Sequence, residues 1–271
     1  ADWAITKTVS VWVKPSLTPA QAAQPELGQL IVGNDSPHWF GITRANHEGG
    51  DKLWVWNGDA GGVDFIGIDF TPGEWVQIAL VHDGVTLSAY KNGVSVGSVP
   101  SGPTVIPDGI GDGTLFIGGP GRTASNAPLY FAGEIDEVRF WNAILPQATI
   151  QDWLYLGITN THPNWADLAA YYKMSNGSGT HLTDDSGNNH SGVLSGGMGD
   201  ANWVASGAMT DPNATPTPSS TPTATNTSTP GPSPTPTSTS TPAPSPTPTT
   251  TPDPPADTDF YVYLPVIVKD N

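Results

Sequence analysis

Phe131-Ala-Gly133-Glu134-Ile-Asp136-Glu137-Val138-Arg139-Phe-Trp141-Asn142 is the stretch on which the fold turns. Its β-branched and aromatic residues, with Gly133 and Asn142 near its ends, read as a strand. A regular strand puts Glu134 and Asp136 on one face and Glu137 on the other. The apolar pattern breaks around 135–138, so a β-bulge is the alternative to a regular strand there.

Similar runs lie upstream. Thr8-Val-Ser-Val-Trp12-Val alternates until Pro15 stops it, and Leu53-Trp54-Val-Trp56, 63–68, 75–82 and 115–117 follow. Residues 85–96 form the clearest hairpin, because Asn92-Gly93 supplies the positive φ angles of a type I′ turn. One helix is expected over 146–155, with Pro146 at its start and Gly157 past its end. Residues 191–194 and 202–204 read as two more short strands. Many strands, short turns and one short helix make an all-β, two-sheet antiparallel sandwich.

The composition changes along the chain. Of the 46 residues over 213–258, 23 are Ser or Thr and 14 are Pro, half of the chain's 28 prolines. Such a segment has too few apolar side chains to offset its ordering entropy. Thr-Pro steps favour polyproline II, a spacer reaching on the order of 140 Å at ~3.1 Å per residue. Ser/Thr/Pro tracts also read as O-glycosylated stalks in exported proteins, against a bare linker. Thr215, Thr217, Thr221 and Thr223 are candidate O-glycan sites, and Asn213 and Asn226 lie in Asn-x-Ser/Thr sequons. The division is therefore a β-sandwich over 1–212, a stalk over 213–258 and a terminal strand over 259–271.

Charge and residue usage exclude several functions. The 271 residues carry nine Lys and Arg against 25 Asp and Glu, a formal net charge of −16. Nucleic acid and anionic lipid both need clustered cations. There is no apolar run of ~20 residues, so no transmembrane segment is expected. With no cysteine there is no disulfide and no thiolate chemistry. A start at Ala1 suits a secreted or cell-surface chain whose signal peptide has been removed.

The quoted strand resembles the hallmark strand of laminin-G-like, concanavalin-A-like jelly-roll domains. Thr8-Val-Ser-Val-Trp12-Val-Lys-Pro15, Trp75-Val-Gln-Ile-Ala-Leu-Val-His-Asp83-Gly84 and Tyr90-Lys-Asn92-Gly93 fall in that family's order. The resemblance spans roughly 1–205 and implies a jelly-roll sandwich, but not an activity, since this fold hosts lectins, adhesion modules, enzymes and structural pieces. One segment departs from the family order. Residues 168–188 resemble how such a domain begins, yet follow its hallmark strand. Hence 168–207 is either a permuted segment closing its own sandwich or the stub of a second domain, and a stub could complete a neighbouring molecule instead. The stalk and Tyr263-Leu264-Pro265 resemble the C-termini of exported Chloroflexota proteins, implying an extracellular destination.

Candidate chemistry is sparse. Glu134-Ile-Asp136 resembles the start of a glucanase Glu-x-Asp-x-(x)-Glu motif, but the acid partner falls on Val138 or Arg139, and retaining hydrolysis needs two carboxyls. No catalytic residue is assigned and no enzyme is expected. The six histidines show no metal-ligand spacing and read as loop and surface residues. Asp184, Asp185 and Asn188 place hard oxygen donors around Gly187, which suits Ca²⁺; the alternative is that they cap a turn. Trp39, Trp54 and Trp56 are candidates for sugar stacking, and Trp54 and Trp56 share a face that is either a platform or core.

The terminal strand is the most pointed feature. Phe260, Val262, Leu264, Val266 and Val268 alternate with Tyr261, Tyr263, Pro265 and Ile267, so both faces are apolar and the strand needs burial. It can dock on its own sandwich, on another copy or on a cell-surface anchor. The first reading is a non-enzymatic extracellular glycoprotein whose strand joins subunits into a surface filament or layer. The second is a surface-held carbohydrate-binding or adhesion module, with calcium as an optional cofactor; a glycoside hydrolase is the third.

Overall fold

In the computed structural model, Ser10 lies opposite Arg139 and Trp12 opposite Asp136, so Glu137 and Val138 together face Val11. This is a β-bulge, and Glu137 takes a φ of 50° to make it. Its cause is the spacing of the apolar side chains. Ile135 and Val138 are an odd number of residues apart and would point to opposite faces of a regular strand. The extra residue lets Ile135, Val138 and Phe140 all enter the main core.

The structure describes residues 7–20, 23–34, 40–59, 61–104, 115–119, 130–208 and 261–262. In chain order the strands are β1 (Thr8–Pro15), β2 (Gln29–Asn34), β3 (Phe40–Asn46), β4 (Asp51–Asp59), β5 (Gly62–Ile68), β6 (Val76–His82) and β7 (Thr86–Lys91). There follow β8 (Val94–Pro100), β9 (Leu115–Ile117), β10 (Gly133–Trp141), helix α1 (Gln147–Asp152), β11 (Leu168–Tyr172), β12 (His181–Leu182), β13 (Gly192–Leu194) and β14 (Tyr261–Val262). One sheet runs β11-β10-β1-β6-β7-β8 and the other β12-β13-β14-β9-β2-β3-β4-β5. This is the two-sheet jelly-roll sandwich expected from the sequence.

Between the sheets, Val9, Val11, Val13, Ile78 and Leu80 meet Ile31, Ile42, Leu53, Val55 and Ile117. Each full burial of such a side chain is worth about 1.5–3 kcal/mol against leaving it in water. A second core lies on the outer face of the first sheet. Trp141, Leu168, Tyr171, Ala79 and Val81 are covered there by Leu145, Ile150 and Ile158 from the α1 region. The helix is shorter than 146–155: it ends at Asp152, where Leu154 N bonds back to Gln151 O in a tightened last turn, and the carbonyls that follow accept from the first sheet. Trp12 Nε1 donates to Leu154 O at 3.3 Å, and Arg139 donates to Trp153 O at 3.2 Å and to Leu156 O at 2.7 Å.

Several local expectations meet the structure here. The turn joining β7 to β8 has positive φ at Asn92 and Gly93, 49° and 74°, as a type I′ turn requires. Residues 202–204 are not a strand; Asp200–Asn202 is a 3-10 turn whose Asn202 side chain accepts from Gly199 N. Strands β2 and β3 were not named from the sequence. The segment 168–207 is built into the chain's own sheets, β11 pairing with β10 and β12–β13 forming a hairpin.

Tyr261–Val262 also lies in this sandwich, parallel to β13 on one side and to β9 on the other. Every other strand pairing among the described residues is antiparallel. The described residues, Tyr261–Val262 included, belong to one compact unit. Phe260, Leu264, Val266 and Val268, like the candidate stalk sites Thr215, Thr217, Thr221, Thr223, Asn213 and Asn226, lie outside the described residues. No helix among the described residues is long and apolar enough to cross a membrane.

On β3, Gly41 sits directly opposite Trp56, whose ring fills the place of a side chain. A Cβ at Gly41 would stand 2.6 Å from Trp56 Cζ2, and that ring is 1% exposed. Gly41→Ala is therefore expected to lower stability by about 1–3 kcal/mol through overpacking. A urea-unfolding midpoint identical to that of the parent chain would contradict this packing.

Candidate functional site

The start of β10 opens into a small cleft. Glu134, Ile135 and Asp136 form one wall, Trp75 stands just before β6, and Asn202, Trp203, Val204 and Ser206 form the other wall. The cavity is only about 40 Å³. That is room for a water or a hydroxyl group, so a larger ligand has to lie across its mouth. Trp203 is anchored by donating from Nε1 to Gly179 O at 2.8 Å, and one side of its ring packs on the main core. Trp75 is half-buried at the other end of the same segment, near Gly207.

Three carboxylates of β10 have different fates. Glu134 is paired with Lys14 Nζ at 2.9 Å and stays partly exposed. Asp136 is 6% exposed, with Oδ1 accepting from Glu137 N at 2.9 Å and Oδ2 accepting from the Ser206 hydroxyl. Burial pushes its carboxyl up to about 6; the Ser206 hydroxyl pulls it back and the Glu137 charge raises it again. Glu137 is on the outer face because of the bulge, not on the inner face that a regular strand would give it. Its Oε2 accepts from Arg139 at 2.6 Å and from the Tyr171 hydroxyl at 2.5 Å. Burial and the Glu137 charge hold the Tyr171 hydroxyl in its protonated form.

This network sits under the α1 region. Val138, one of the two positions where a glucanase acid would fall, is in the core, and Arg139 is spent on Glu137 and two backbone carbonyls.

The residues singled out from the sequence lie elsewhere. Trp39 is outside the described residues. Trp54 and Trp56 are 4% and 1% exposed, so they form no open platform. They share the face of β4 opposite Leu53 and Val55, and Trp54 packs on Phe65 and His47 with Nε1 donating to Ala45 O at 3.0 Å. Their flat rings are accommodated by Gly67 and Gly41 across the sheet.

Asp184 is buried, and its carboxylate accepts from the backbone N–H groups of Tyr171, Ser186 and His190 at 2.9–3.0 Å. Asp185 pairs with Lys173 at 3.0 Å, and Asn188 Nδ2 donates to Leu168 O and Ala169 O. The donors that would form a calcium cage thus serve as turn caps that pin the loop to β11. Among the described residues, no three His, Asp or Glu side chains come together to hold a metal. Nor are all the histidines at the surface. His82 is 4% exposed, and His162, 3% exposed, packs against Trp141 and Trp153, where burial lowers it to about 4.

Sequence reasoning singled out Glu134 and Asp136 but missed Trp75 and Trp203 as their neighbours. The indoles are 128 positions apart, and each was read only as part of a strand. A wider groove of about 420 Å³ lies between Gly62, Asp64, Gly84, Val85, Ser101 and Pro103, with no aromatic ring among the described residues that line it.

A laminin G family model, described as concanavalin A-like lectin/glucanases superfamily, matches residues 4–151. Among solved structures, a candidate carbohydrate-binding protein from Bacteroides ovatus matches with a TM-score of 0.52 and 18% identity. It covers 72% of this chain and 54% of its own, so the chain spans about half the length of that protein. A heptameric SAP-like pentraxin from Limulus polyphemus has a TM-score of 0.40 and 16% identity over 67% of this chain and 80% of its own. The sialidase CBM40 of Ruminococcus gnavus, bound to α2,3-sialyllactose, has a TM-score of 0.40 and 12% identity over 54% and 81%. No curated protein matches the chain.

The cleft carboxyl makes stability depend on pH. Asp136 holds its proton more tightly in the folded chain, near 6, than at its ordinary 3.8. Its protonation therefore favours the fold below about pH 4, and this contribution is lost as pH rises through about 6. Asp136→Asn is expected to raise stability by on the order of 2–3 kcal/mol at pH 8 and to change little at pH 4. Equal effects at both pH values in urea unfolding would refute this account of the carboxyl.

Proposed function

The chain belongs to the concanavalin A-like lectin/glucanases superfamily, and from that premise we propose that it is a non-catalytic glycan-recognition head on an extracellular, O-glycosylated stalk. The observation that carries this reading is the cleft. Two indoles separated by a carboxyl, a hydroxyl and an amide match the chemistry of a sugar ring, which has apolar C–H faces and hydroxyl edges. The cavity admits a hydroxyl and no more, so the glycan lies across Trp75 and Trp203 with one hydroxyl directed at Asp136. The Bacteroides ovatus protein is described as carbohydrate binding; its likeness supports the fold, while the cleft supports the binding.

Charge narrows the ligand class. Residues 1–212 carry eight Lys and Arg against 21 Asp and Glu, a balance of −13. An anionic sugar would be repelled by this head, so the expected ligand is a neutral glycan. Hydrolysis is not part of the proposal. Glu134 is neutralised by Lys14, and Glu137 is sealed behind Arg139 and Tyr171.

A second reading has its own observation. The placing of Tyr261–Val262 between β13 and β9 makes the terminal strand a structural part of a sandwich. If that strand came from a neighbour, copies would join head to tail into a surface filament or layer.

On a panel of neutral and anionic polysaccharides, the intact protein is expected to bind a neutral member and to release no reducing ends. Trp75→Ala should weaken that binding at least tenfold while leaving the far-ultraviolet spectrum unchanged, because this ring is half-buried at the cleft mouth. Undiminished binding by Trp75→Ala, or release of sugar by the parent protein, would overturn the first reading.

A further inference from the structure

The strand order leaves a place that only the chain's distant end fills. Strands β9 and β13 both run parallel to β14, one on each side. They therefore run in the same direction and, without β14, face each other across a gap one strand wide, twice the ~4.8 Å spacing of neighbouring strands. The inward residues beside that gap are core residues: Leu115 and Ile117 on β9, Leu194 on β13 and Leu182 on β12 are all buried in the main core. An empty gap would expose them and leave two unpaired strand edges.

Backbone polarity on β13 agrees. Leu194 N donates to Thr180 O at 2.7 Å, on the β12 side. Alternation along a strand then turns the amide and carbonyl of Val193 toward β14.

The length of chain feeding this gap exceeds what closure in place requires. Between Ala208 and Tyr261 lie 52 residues. They reach on the order of 160 Å when extended, while the longest strands here, nine residues, span about 30 Å. Lengthening a linker costs little closure entropy, so this segment permits closure in place and also reaches well beyond one sandwich. With flexible linkers, intramolecular docking corresponds to effective concentrations in the millimolar range. A dense array of chains attains comparable local concentrations, and the strand of one copy then competes for the gap of another.

We propose that the β9–β13 gap is a strand-acceptor slot and that Tyr261–Val262 is exchangeable between copies of this chain, one copy's terminal strand completing the sheet of the next. This rests on the second reading above and names its acceptor surface. Exchange keeps every pairing seen in the single chain and adds no new interface chemistry. It therefore requires only that the strand leave one slot and enter another of identical shape. Because each chain offers one strand and one slot, unclosed exchange extends head to tail, while mutual exchange closes a dimer.

The test uses two full-length variants. Val262→Pro removes an amide from the strand and leaves the slot unfilled; Val193→Pro removes an amide from the slot and leaves the strand undocked. Each alone is expected to be monomeric in light scattering, and their equimolar mixture to give a 1:1 dimer. If Val193→Pro does not fold, a fluorescent peptide of residues 259–271 replaces it. That peptide should bind the Val262→Pro protein and bind the parent at least tenfold more weakly, because the parent's own strand occupies the slot. A mixture that stays monomeric, or a peptide that fails to distinguish the two proteins, overturns the proposal. The filament reading fails separately: if the mixture dimerises while the concentrated parent protein shows no polymers by negative-stain microscopy, the exchangeable slot stands and the filament does not.

Discussion

The bulge at Glu137 is the constraint on which the rest of the structure depends. It shifts the phase of β10 by one residue, so Ile135, Val138 and Phe140 enter the main core while Glu137 and Arg139 emerge on the opposite face. The emerging pair is buried, and a buried ion pair holds only where further hydrogen bonds satisfy it. Tyr171 from β11 and the carbonyls of Trp153 and Leu156 supply those bonds. Through them the bulge fixes where β11 pairs and where the α1 region folds back over the sheet.

The same shift determines what the acidic face of β10 can do. Glu137 becomes a structural anchor and Asp136 is left at the floor of a cleft under Ser206. A motif whose sequence invites hydrolysis is thereby divided between a sealed network and a small polar pocket between indoles. Tyr261–Val262 returns to the sheet as β14.

The framework was legible in the sequence because its signals are local. Alternation in Thr8–Pro15 and the Asn92-Gly93 turn depend on neighbours a few residues apart, and the break at 135–138 offered the bulge as the alternative to a regular strand. The helix end was not legible, because its last turn tightens at Leu154 N to Gln151 O, short of the stop that Gly157 offers in the sequence. Trp54 and Trp56 were legible as sharing a face, but their burial depends on Gly67 and Gly41 in neighbouring strands. Asp184 was ambiguous for a chemical reason: a carboxylate that caps three amides and one that binds a cation have the same local sequence. The cleft was invisible because Trp75 and Trp203 meet only after the sandwich is assembled. The docking of the tail was left open among three partners, and only the parallel pairing of Tyr261–Val262 shows one acceptor for it.

The central claim is that the cleft at the start of β10 is where a glycan is held. Hydrogen exchange of the full-length protein, with and without the tightest-binding neutral polysaccharide, tests this most directly. The account predicts slowed exchange concentrated in peptides covering 133–136 and 202–206, with little change around 61–64 and 100–103. Protection confined to that second groove, or absent from the cleft at saturating sugar, would contradict it.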